Sequence, residues 1–307
     1  MRIFVTGISG LFGLNAALAL GSRHEVWGAY SSHPVVLRAG QTFELDLANG
    51  EELGRIFQQW RPDVVIHAAA YTSVDGCEER PFLAAASNIT VTRVVAREAQ
   101  RVGAQFVYLS SDQLFDGTTP YVEESTVPVP LNVYGQTKWE GEQVTLNEAP
   151  DSVVVRTNFY GWGPGHKPSF SDWIIRELRG GRPVNGFVDV FFTPILVNHL
   201  VERIERLVLS SGRGVYHVGG CDRVSKYEFA CALAHIFDLD AELVQPSTVN
   251  RGGLRAMRPH DMSLSSAKVM NAFGLCALGL CEGLAELRRL EQRGWNEDIQ
   301  RLLDQPA

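Results

Sequence analysis

Near its amino end the chain reads Ile3-Phe4-Val5-Thr6-Gly7-Ile8-Ser9-Gly10-Leu11-Phe12-Gly13. A β-favouring run meets glycines spaced G-x-x-G-x-x-G, and a helical pattern follows from Leu14 to about Gly21. A strand, a glycine turn and a helix in this order are what a dinucleotide fingerprint requires, because the helix N-terminus offers free N–H groups to the pyrophosphate. Glycines of an ordinary surface turn are the alternative. We predict a cofactor loop formed by Gly7, Ser9, Gly10, Leu11, Phe12 and Gly13.

Further strand patterns follow at residues 25–30, 43–47, 64–70, 105–109 and 152–157, with helical stretches between most of them. Strands that alternate with helices predict an α/β fold, a Rossmann-type doubly wound parallel sheet. We expect an NADP-binding Rossmann domain over residues 1–160, to which residues 185–220 return. Residues 161–184 and 221–307 are expected to form a smaller, mainly helical substrate-binding lobe.

The composition excludes several classes of protein. The 307 residues are 45% hydrophobic with a net charge of −7, and no Lys/Arg-rich run appears, so a nucleic-acid or anionic-membrane partner is not expected. No run reaches the ~20 apolar residues that span a bilayer. Five scattered cysteines without a Cys-x-x-Cys pair indicate reduced thiols. We therefore expect a cytoplasmic protein without a metal site built from its own residues.

The residues after the second strand bear on the choice of cofactor. Ser31, Ser32 and His33 stand where a cofactor with a free ribose 2′-hydroxyl usually meets an acidic residue. These side chains, together with Arg38, tolerate a 2′-phosphate better, which favours NADP(H) over NAD. Asp46 is expected to bond the adenine amino group or to cap the helix that begins near Glu51. The remaining predicted cofactor contacts are Leu47, Ala68, Ala69, Ala70, Tyr71 and Asn158.

Three polar side chains form the predicted catalytic group. Tyr134 and Lys138 are four residues apart in a helical pattern, so they share one helix face, and Ser111 ends the fifth strand. A lysine beside a phenol lowers its pKa from about 10 towards the working range. A serine at the carboxyl edge of a parallel strand faces the crevice where such sheets bind ligands. An exposed amphipathic helix with a chance Tyr–Lys pair is the alternative. We predict that Tyr134 and Lys138 also contact the cofactor.

The glycine spacing resembles that of the extended short-chain dehydrogenase/reductases, and several longer segments resemble the dTDP-4-dehydrorhamnose reductase family. This resemblance implies that Ser111, Tyr134 and Lys138 are a catalytic triad for NADPH-dependent reduction of the 4-keto group of a nucleotide-activated deoxysugar, as in dTDP-rhamnose biosynthesis. The segments are Arg61-Pro62-Asp63-Val64-Val65, Ala68-Ala69-Ala70-Tyr71-Thr72-Ser73-Val74-Asp75, Ser110-Ser111-Asp112-Gln113-Leu114-Phe115-Asp116-Gly117, Pro130-Leu131-Asn132-Val133-Tyr134-Gly135-Gln136-Thr137-Lys138 and Arg258-Pro259.

Substrate contacts are predicted in the loops near this triad. Tyr160 and Trp162 could stack on a base or fill the core. Arg258 could clamp a diphosphate, because its guanidinium fork matches phosphate oxygens, or form a structural ion pair. Gln113 stands where the reductases usually have an aromatic residue, so the sugar stays open. The full predicted set is Val74, Asp75, Gln113, Tyr160, Trp162 and Arg258.

Two other functions remain open. Residues 226–232, after Gly219-Gly220, resemble the regulatory subunit of methionine adenosyltransferase, which implies a non-catalytic NADP-binding protein. A nucleotide-sugar epimerase or dehydratase is the third alternative, although such enzymes commonly carry an acidic residue after the second strand. Asn15 stands where some reductases have a glutamate that helps hold magnesium at a dimer contact. This substitution argues against a magnesium-linked dimer and leaves a homodimer open.

Overall fold

A computed structural model of the protein describes residues 1–303. The strands are β1 (Arg2–Thr6), β2 (Glu25–Tyr30), β3 (Thr42–Glu44), β4 (Val64–His67), β5 (Gln105–Leu109), β6 (Val153–Arg156), β7 (Phe159–Tyr160), β8 (Val184–Phe187), β9 (Phe191–Phe192), β10 (Ile195–Leu196), β11 (Gly214–His217), β12 (Val224–Ser225), β13 (Val244–Ser247) and β14 (Asp261–Met262). The helices are α1 (Leu11–Leu20), α2 (Gly50–Trp60), α3 (Val74–Glu79), α4 (Pro81–Ala85), α5 (Val91–Arg101), α6 (Val133–Glu148), α7 (Phe170–Arg179), α8 (Val197–Leu209), α9 (Lys226–Ile236), α10 (Ala267–Phe273), α11 (Leu280–Gln292) and α12 (Trp295–Leu303).

Seven parallel strands form the central sheet in the order β11-β6-β5-β4-β1-β2-β3. The order reverses between β1 and β4, which places a crevice at the carboxyl ends of these two strands. Thr6, the last residue of β1, is in register with Ala29 on one side and His67 on the other. The predicted α/β, Rossmann-type doubly wound sheet is thereby confirmed.

The central strands are apolar on both faces, as is usual for a parallel sheet covered by helices. Along β4, Val64 and Ile66 pack into one core cluster with α1 and α8, whereas Val65 packs into a second cluster with α2 and α5. The same alternation continues through β1, β5 and β6. Both clusters hold the strand ends, and therefore the crevice, in a fixed position.

Two glycines allow the first turn to pack as closely as it does. Gly7 has φ +66°, and a Cβ there would lie 2.9 Å from the backbone of Ala69. A Cβ at Gly13 would lie 2.4 Å from the Cα of Ile8. The first glycine therefore allows the turn, and the third allows α1 to pack closely against that turn.

The remaining strands pair in smaller sheets. β8 pairs with β13, β9 pairs with β12 and β14, and α9 packs against α7 and α11. β11 lies beside β6 in the central sheet. The division into residues 1–160 with 185–220, and 161–184 with 221–307, stays a prediction. Within residues 1–303, no helix is long and apolar enough to cross a membrane.

Candidate active site

A cleft of about 670 Å³ opens at the carboxyl ends of the central strands. It brings together segments that are far apart in the sequence, from the glycine turn to the start of α6. The predicted site residues that line it are Gly7, Ser9, Gly10, Leu11, Phe12, Gly13, Ser31, Ser32, His33, Leu47, Ala68, Ala69, Ala70, Val74, Ser111, Gln113, Tyr134, Lys138 and Asn158.

The glycine turn leaves the amino end of α1 facing this cleft. Gly10 is the N-cap residue and has no side chain to bond the first N–H groups of the helix, while Leu11, Phe12 and Gly13 line the cleft. The hydroxyl of Thr157 also lines the cleft and is buried without a hydrogen-bond partner among the described residues. Unpaired helix N–H groups at a glycine turn are a suitable donor set for a pyrophosphate. The turn therefore fits a dinucleotide.

The other end of the cleft lies beyond β2. Ser32 Oγ and His33 Nδ1 are 3.0 Å apart, and the His33 ring stacks on that of His166. Arg38 instead lies 3.3 Å from a carboxylate oxygen of Asp298 and is not among the lining residues. The sequence-based suggestion that Arg38 helps hold a 2′-phosphate is not supported by this placement.

Asp46 lies outside the cleft lining, with an exposed side chain whose carboxylate accepts a hydrogen bond from the N–H of Ala48 at 3.0 Å. The helix cap predicted for Asp46 is formed by Asn49, which accepts from the N–H of Glu52 at 3.3 Å. The adenine contact expected of Asp46 stays a prediction. Leu45 and Leu47 present apolar surface to the cleft instead.

The end of β4 supplies Ala68, Ala69 and Ala70, whose small side chains leave room beside the backbone. His67 is fully buried between the hydroxyls of Thr6 (2.7 Å) and Thr92 (3.1 Å). Burial, reinforced by the positive charge of Lys138, lowers the pKa of His67 to about 3. His67 is therefore a neutral structural residue.

Tyr71 contributes its backbone, not its ring, to the architecture of the site. Asn88 accepts from the N–H of Tyr71 at 2.8 Å and donates to its carbonyl oxygen at 3.2 Å. The amide of Asn88 also donates to Thr137 of α6 at 3.0 Å. Asn88 lies in a π-helical turn at residues 86–90 between α4 and α5, a distortion that is frequent at functional sites. It ties the loop after β4 to α6.

Ser111, Tyr134 and Lys138 all line the cleft. Burial raises the pKa of Tyr134 to about 12, while a hydrogen bond from Ser111 acts in the opposite direction. Burial lowers the pKa of Lys138 to about 7. The ammonium of Lys138 donates to the carbonyl oxygen of Leu109 at 2.7 Å and lies 4.1 Å from the ring centre of Tyr108. Contrary to expectation, the pKa of Tyr134 lies above its ordinary value in this state of the protein.

The position of Tyr134 follows from the start of α6. Asn132 caps this helix by accepting from the N–H of Gly135 at 2.8 Å. Its amide donates to Gln113 Oε1 at 3.1 Å and to the carbonyl oxygen of Met257 at 2.9 Å. The helix start is therefore fixed to the loop that follows Ser111, and Tyr134 faces that loop.

A buried ion pair lies behind the triad. Arg156 donates to Glu142 at 2.8–3.2 Å, and Glu142 accepts from the hydroxyl of Ser110 at 2.5 Å. Both charged side chains are at most 5% exposed. The pair joins β6, α6 and the end of β5, and so fixes the residue next to Ser111.

Four predicted substrate residues do not line the cleft. Asp75 forms an ion pair with Arg258 at 3.0 Å and accepts a hydrogen bond from the N–H of Ala256 at 2.9 Å. In the structure Arg258 therefore forms a structural ion pair, the second of the two roles considered for it. Tyr160 is 2% exposed and packs on Phe229. Trp162 is 7% exposed and donates to the carbonyl oxygen of Leu287 at 2.9 Å. Both aromatic residues fill the core.

Sequence reasoning missed a polar group beside the triad. Asp112 is buried in the cleft wall, where it accepts from Asn158 at 2.5 Å. Burial raises the pKa of Asp112 to about 6, whereas the charge of Lys226 opposes this shift. Its position directly after Ser111 was the available signal.

The second missed group is the segment after Trp162. The capping box of Ser169 and Asp172, which could be seen in the sequence, marks the start of α7 but not its contact with the cleft. The missed lining residues are Ala29, Tyr30, Leu45, Thr72, Leu109, Ser110, Asp112, Thr157, Phe159, Pro164, His166, Lys167, Pro168, Ser169 and Phe170.

Asn15 has a structural role. It donates to the carbonyl oxygens of Leu11 and Trp162, both at 2.8 Å, and accepts from Trp295 at 2.8 Å. In the part of the chain that the structure describes, no group of three or more His, Cys, Asp or Glu residues could hold a metal ion.

By sequence comparison, residues 1–293 match the protein family described as RmlD substrate binding domain. The chain is 29% identical to the probable low-salt glycan biosynthesis reductase Agl14 of Haloferax volcanii, over 94% of this chain and 97% of that protein. It is 32% identical to methionine adenosyltransferase 2 subunit beta of Xenopus tropicalis, over 87% of this chain and 81% of that protein.

Solved structures show the same fold. The dTDP-4-dehydrorhamnose reductase of Bacillus anthracis, in complex with NADP, superposes with a TM-score of 0.84 at 29% identity, covering 94% of this chain and 98% of that one. A dTDP-4-dehydrorhamnose reductase of Clostridium acetobutylicum gives a TM-score of 0.83 at 27% identity, covering 95% of this chain and 100% of that one. The resemblance noted in the sequence is confirmed by these matches.

Proposed function

The chain belongs to the RmlD substrate binding domain family, and on that basis we propose that it reduces the 4-keto group of a nucleotide-activated deoxysugar with NADPH. The predicted class, an NADP-dependent oxidoreductase of the short-chain dehydrogenase/reductase type, agrees with the structural comparison. One observation carries the proposal: Ser111, Tyr134 and Lys138 line the same cleft as the glycine turn. A proton donor and a dinucleotide-binding loop then face one shared space.

The cleft holds residues suited to each part of the cofactor. The amino end of α1, with Gly10 and Leu11, would hold the pyrophosphate, and Lys138 would hold the ribose next to the nicotinamide. When bound, the dihydronicotinamide supplies a hydride for the sugar carbonyl carbon.

The proton comes from Tyr134. With a pKa of about 12, its phenol is protonated at neutral pH and is therefore available as a donor. The hydroxyl of Ser111, which donates to Asp112 at 3.3 Å in the structure, would polarise the carbonyl oxygen that receives this proton. The ammonium of Lys138, which lines the same cleft, would stabilise the phenolate left behind, because opposite charges in a buried site attract strongly.

The surrounding protein keeps these groups in place. Asn132 fixes the start of α6, and Asn88 fixes the loop after β4, so the phenol and the strand ends do not need to rearrange. Val74 and Gln113 line the same cleft and would contact the sugar. Holding reacting groups in position before reaction lowers the entropic part of the barrier.

A substrate panel tests this proposal. Purified protein is mixed with NADPH and a series of nucleotide-activated 4-keto deoxysugars, and loss of the reduced-nicotinamide absorbance is followed. The corresponding 4-hydroxy sugars serve as controls, since they offer no carbonyl to reduce. We expect oxidation with at least one 4-keto sugar and none with the controls. No oxidation across the panel would contradict the proposal.

A second function is favoured by one specific observation, the 32% identity to methionine adenosyltransferase 2 subunit beta. In that case the chain would bind NADP as a regulatory subunit. Stable co-purification with a methionine adenosyltransferase, combined with no NADPH oxidation across the panel, would favour this second function. Oxidation without such an association would favour the reductase.

A further inference from the structure

Residues 164–169, here called the bridging segment, contact two loops on opposite sides of the cleft. The ring of His166 stacks on that of His33 after β2, with ring centres 3.6 Å apart and planes 3° from parallel. Lys167 Nζ donates to Thr72 Oγ1 after β4 at 2.8 Å. All four of these residues line the cleft. The bridging segment therefore spans the cleft between the ends of β2 and β4.

Both ends of the bridging segment are fixed. The N–H of Gly163, just before it, donates to Asp172 at 2.8 Å. The hydroxyl of Ser169 donates to the carbonyl oxygen of Gly161 at 2.6 Å and also caps α7. His166 and Lys167 lie between these two anchors, so their position over the cleft is set by the fold and not by chance loop packing.

The end of the cleft near β2 is rich in groups that can carry positive charge. His33 and His166 line this end, Lys167 lines the cleft on the β4 side, and Arg38 is paired with Asp298 outside the lining. Asp112 is the one acidic residue among the described residues that line the cleft. It accepts a hydrogen bond from Asn158 and lies near Tyr134. No carboxylate of the described lining therefore stands next to His33.

We propose that His166 joins His33 and Ser32 in binding the 2′-phosphate of the cofactor's adenosine, so that the bridging segment makes the cleft selective for NADP(H) over NAD(H). This inference rests on the proposed cofactor. Unlike Ser32 and His33, which follow β2 directly, His166 belongs to a segment more than 130 positions later in the chain.

The stacked arrangement suits a dianion. Because the two rings are parallel and their centres are 3.6 Å apart, a phosphate placed at their edges would be within reach of an N–H group from each ring. Without an anion, two imidazolium rings would repel each other. Burial, then the neighbouring His33 and Lys167, lower the pKa of His166 in the structure. A bound phosphate would reverse this shift, since a nearby opposite charge favours the protonated form.

Binding measurements without the nicotinamide test the inference. Isothermal titration calorimetry compares 2′-phospho-ADP-ribose with ADP-ribose, which differ only in the 2′-phosphate. We expect the unaltered protein to bind the phosphorylated ligand at least about tenfold more tightly, as for one charge-assisted hydrogen bond. His166→Ala should remove most of this preference and change ADP-ribose binding by less than about twofold. His166→Arg should retain it.

Arg38→Ala is the matched control, since it removes a nearby cation that lies outside the lining. This variant should keep the full preference. The inference is wrong if His166→Ala keeps the preference, if it weakens both ligands equally, or if the unaltered protein binds both ligands alike. An unaltered protein that binds neither ligand would contradict the cofactor assignment itself, and with it the proposed function.

Discussion

The ammonium of Lys138 lies 2.7 Å from the carbonyl oxygen of Leu109, the last residue of β5. Leu109 precedes Ser110 and Ser111, so this hydrogen bond connects the helix that carries Tyr134 to the strand end that carries Ser111. The lysine is thus positioned by the sheet. Its ammonium lies at the end of β5, where a ligand in the cleft can reach it.

Lys138 gives a pH-dependent prediction. Its pKa is about 7 in the folded protein and ~10.4 in an unfolded chain, so the unfolded state binds more protons between these values. The free energy of unfolding should therefore rise with pH across this window, by up to about 1.4 kcal/mol per pH unit from this group. Lys138→Met should remove that contribution, as measured by urea unfolding at pH 7, 8 and 9.

Lys268→Met is the control for this experiment, because Lys268 also donates to a strand carbonyl, that of Val215 at 2.6 Å, but is exposed. It should leave the pH dependence as in the unaltered protein. Equal slopes for Lys138→Met and the unaltered protein would contradict the placement of Lys138 as a buried amine.

The Glu142–Arg156 pair predicts an asymmetric effect of mutation. Glu142→Ala leaves a buried guanidinium without its partner and should lower the free energy of unfolding by about 3–5 kcal/mol. Replacement of both residues by methionine should cost less than this, because no buried charge remains. Urea denaturation of both variants measures which of the two is the less stable. A double variant less stable than Glu142→Ala would disagree with it.

The glycine turn predicts different results for two alanine substitutions. At Gly13 an added Cβ would lie 2.4 Å from the Ile8 backbone, so Gly13→Ala should destabilise the fold by about 1–3 kcal/mol, as overpacking does. At Gly10 the closest atom would be Gly7 O at 3.3 Å, so Gly10→Ala should fold and weaken cofactor binding. Thermal unfolding and NADPH titration distinguish the two. The same behaviour for both variants would argue against this description of the turn.

Local patterns predicted the parts of the site that depend on neighbouring residues. The glycine turn, the strand-end serine and the Tyr134–Lys138 pair each lie within one strand–turn or helix, where spacing fixes the geometry. The sheet followed from alternating strand and helix patterns for the same reason.

Contacts across long distances in the sequence could not be predicted in this way. The ion pair between Asp75 and Arg258 and the stack of His33 on His166 join separate segments, and no local signal marks either pair. From the sequence, Tyr160 and Trp162 could equally be ligand-binding or core residues, because aromatic side chains are common in both places. Their packing was decided by helices α9 and α11, far along the chain.

Two interruptions of the helices have local features. Residues 86–90, between α4 and α5, form a π-helical turn, which turns Asn88 inward. Helices α11 and α12 are separated near Gly294, which has φ +77°. Leu284, Leu287 and Leu290 pack into the core. The glycine is a visible signal for the second interruption.

The central claim is that Tyr134 gives the proton in a reductase cleft, and Tyr134→Phe tests it most directly. Tyr121→Phe, altered at a tyrosine outside the cleft lining, is the matched control. With the 4-keto sugar that supports turnover, Tyr134→Phe should lower kcat by about 10²–10⁴-fold and leave the Kd for NADPH within about twofold, since only the transferred proton is lost. An unchanged kcat in Tyr134→Phe would contradict the account.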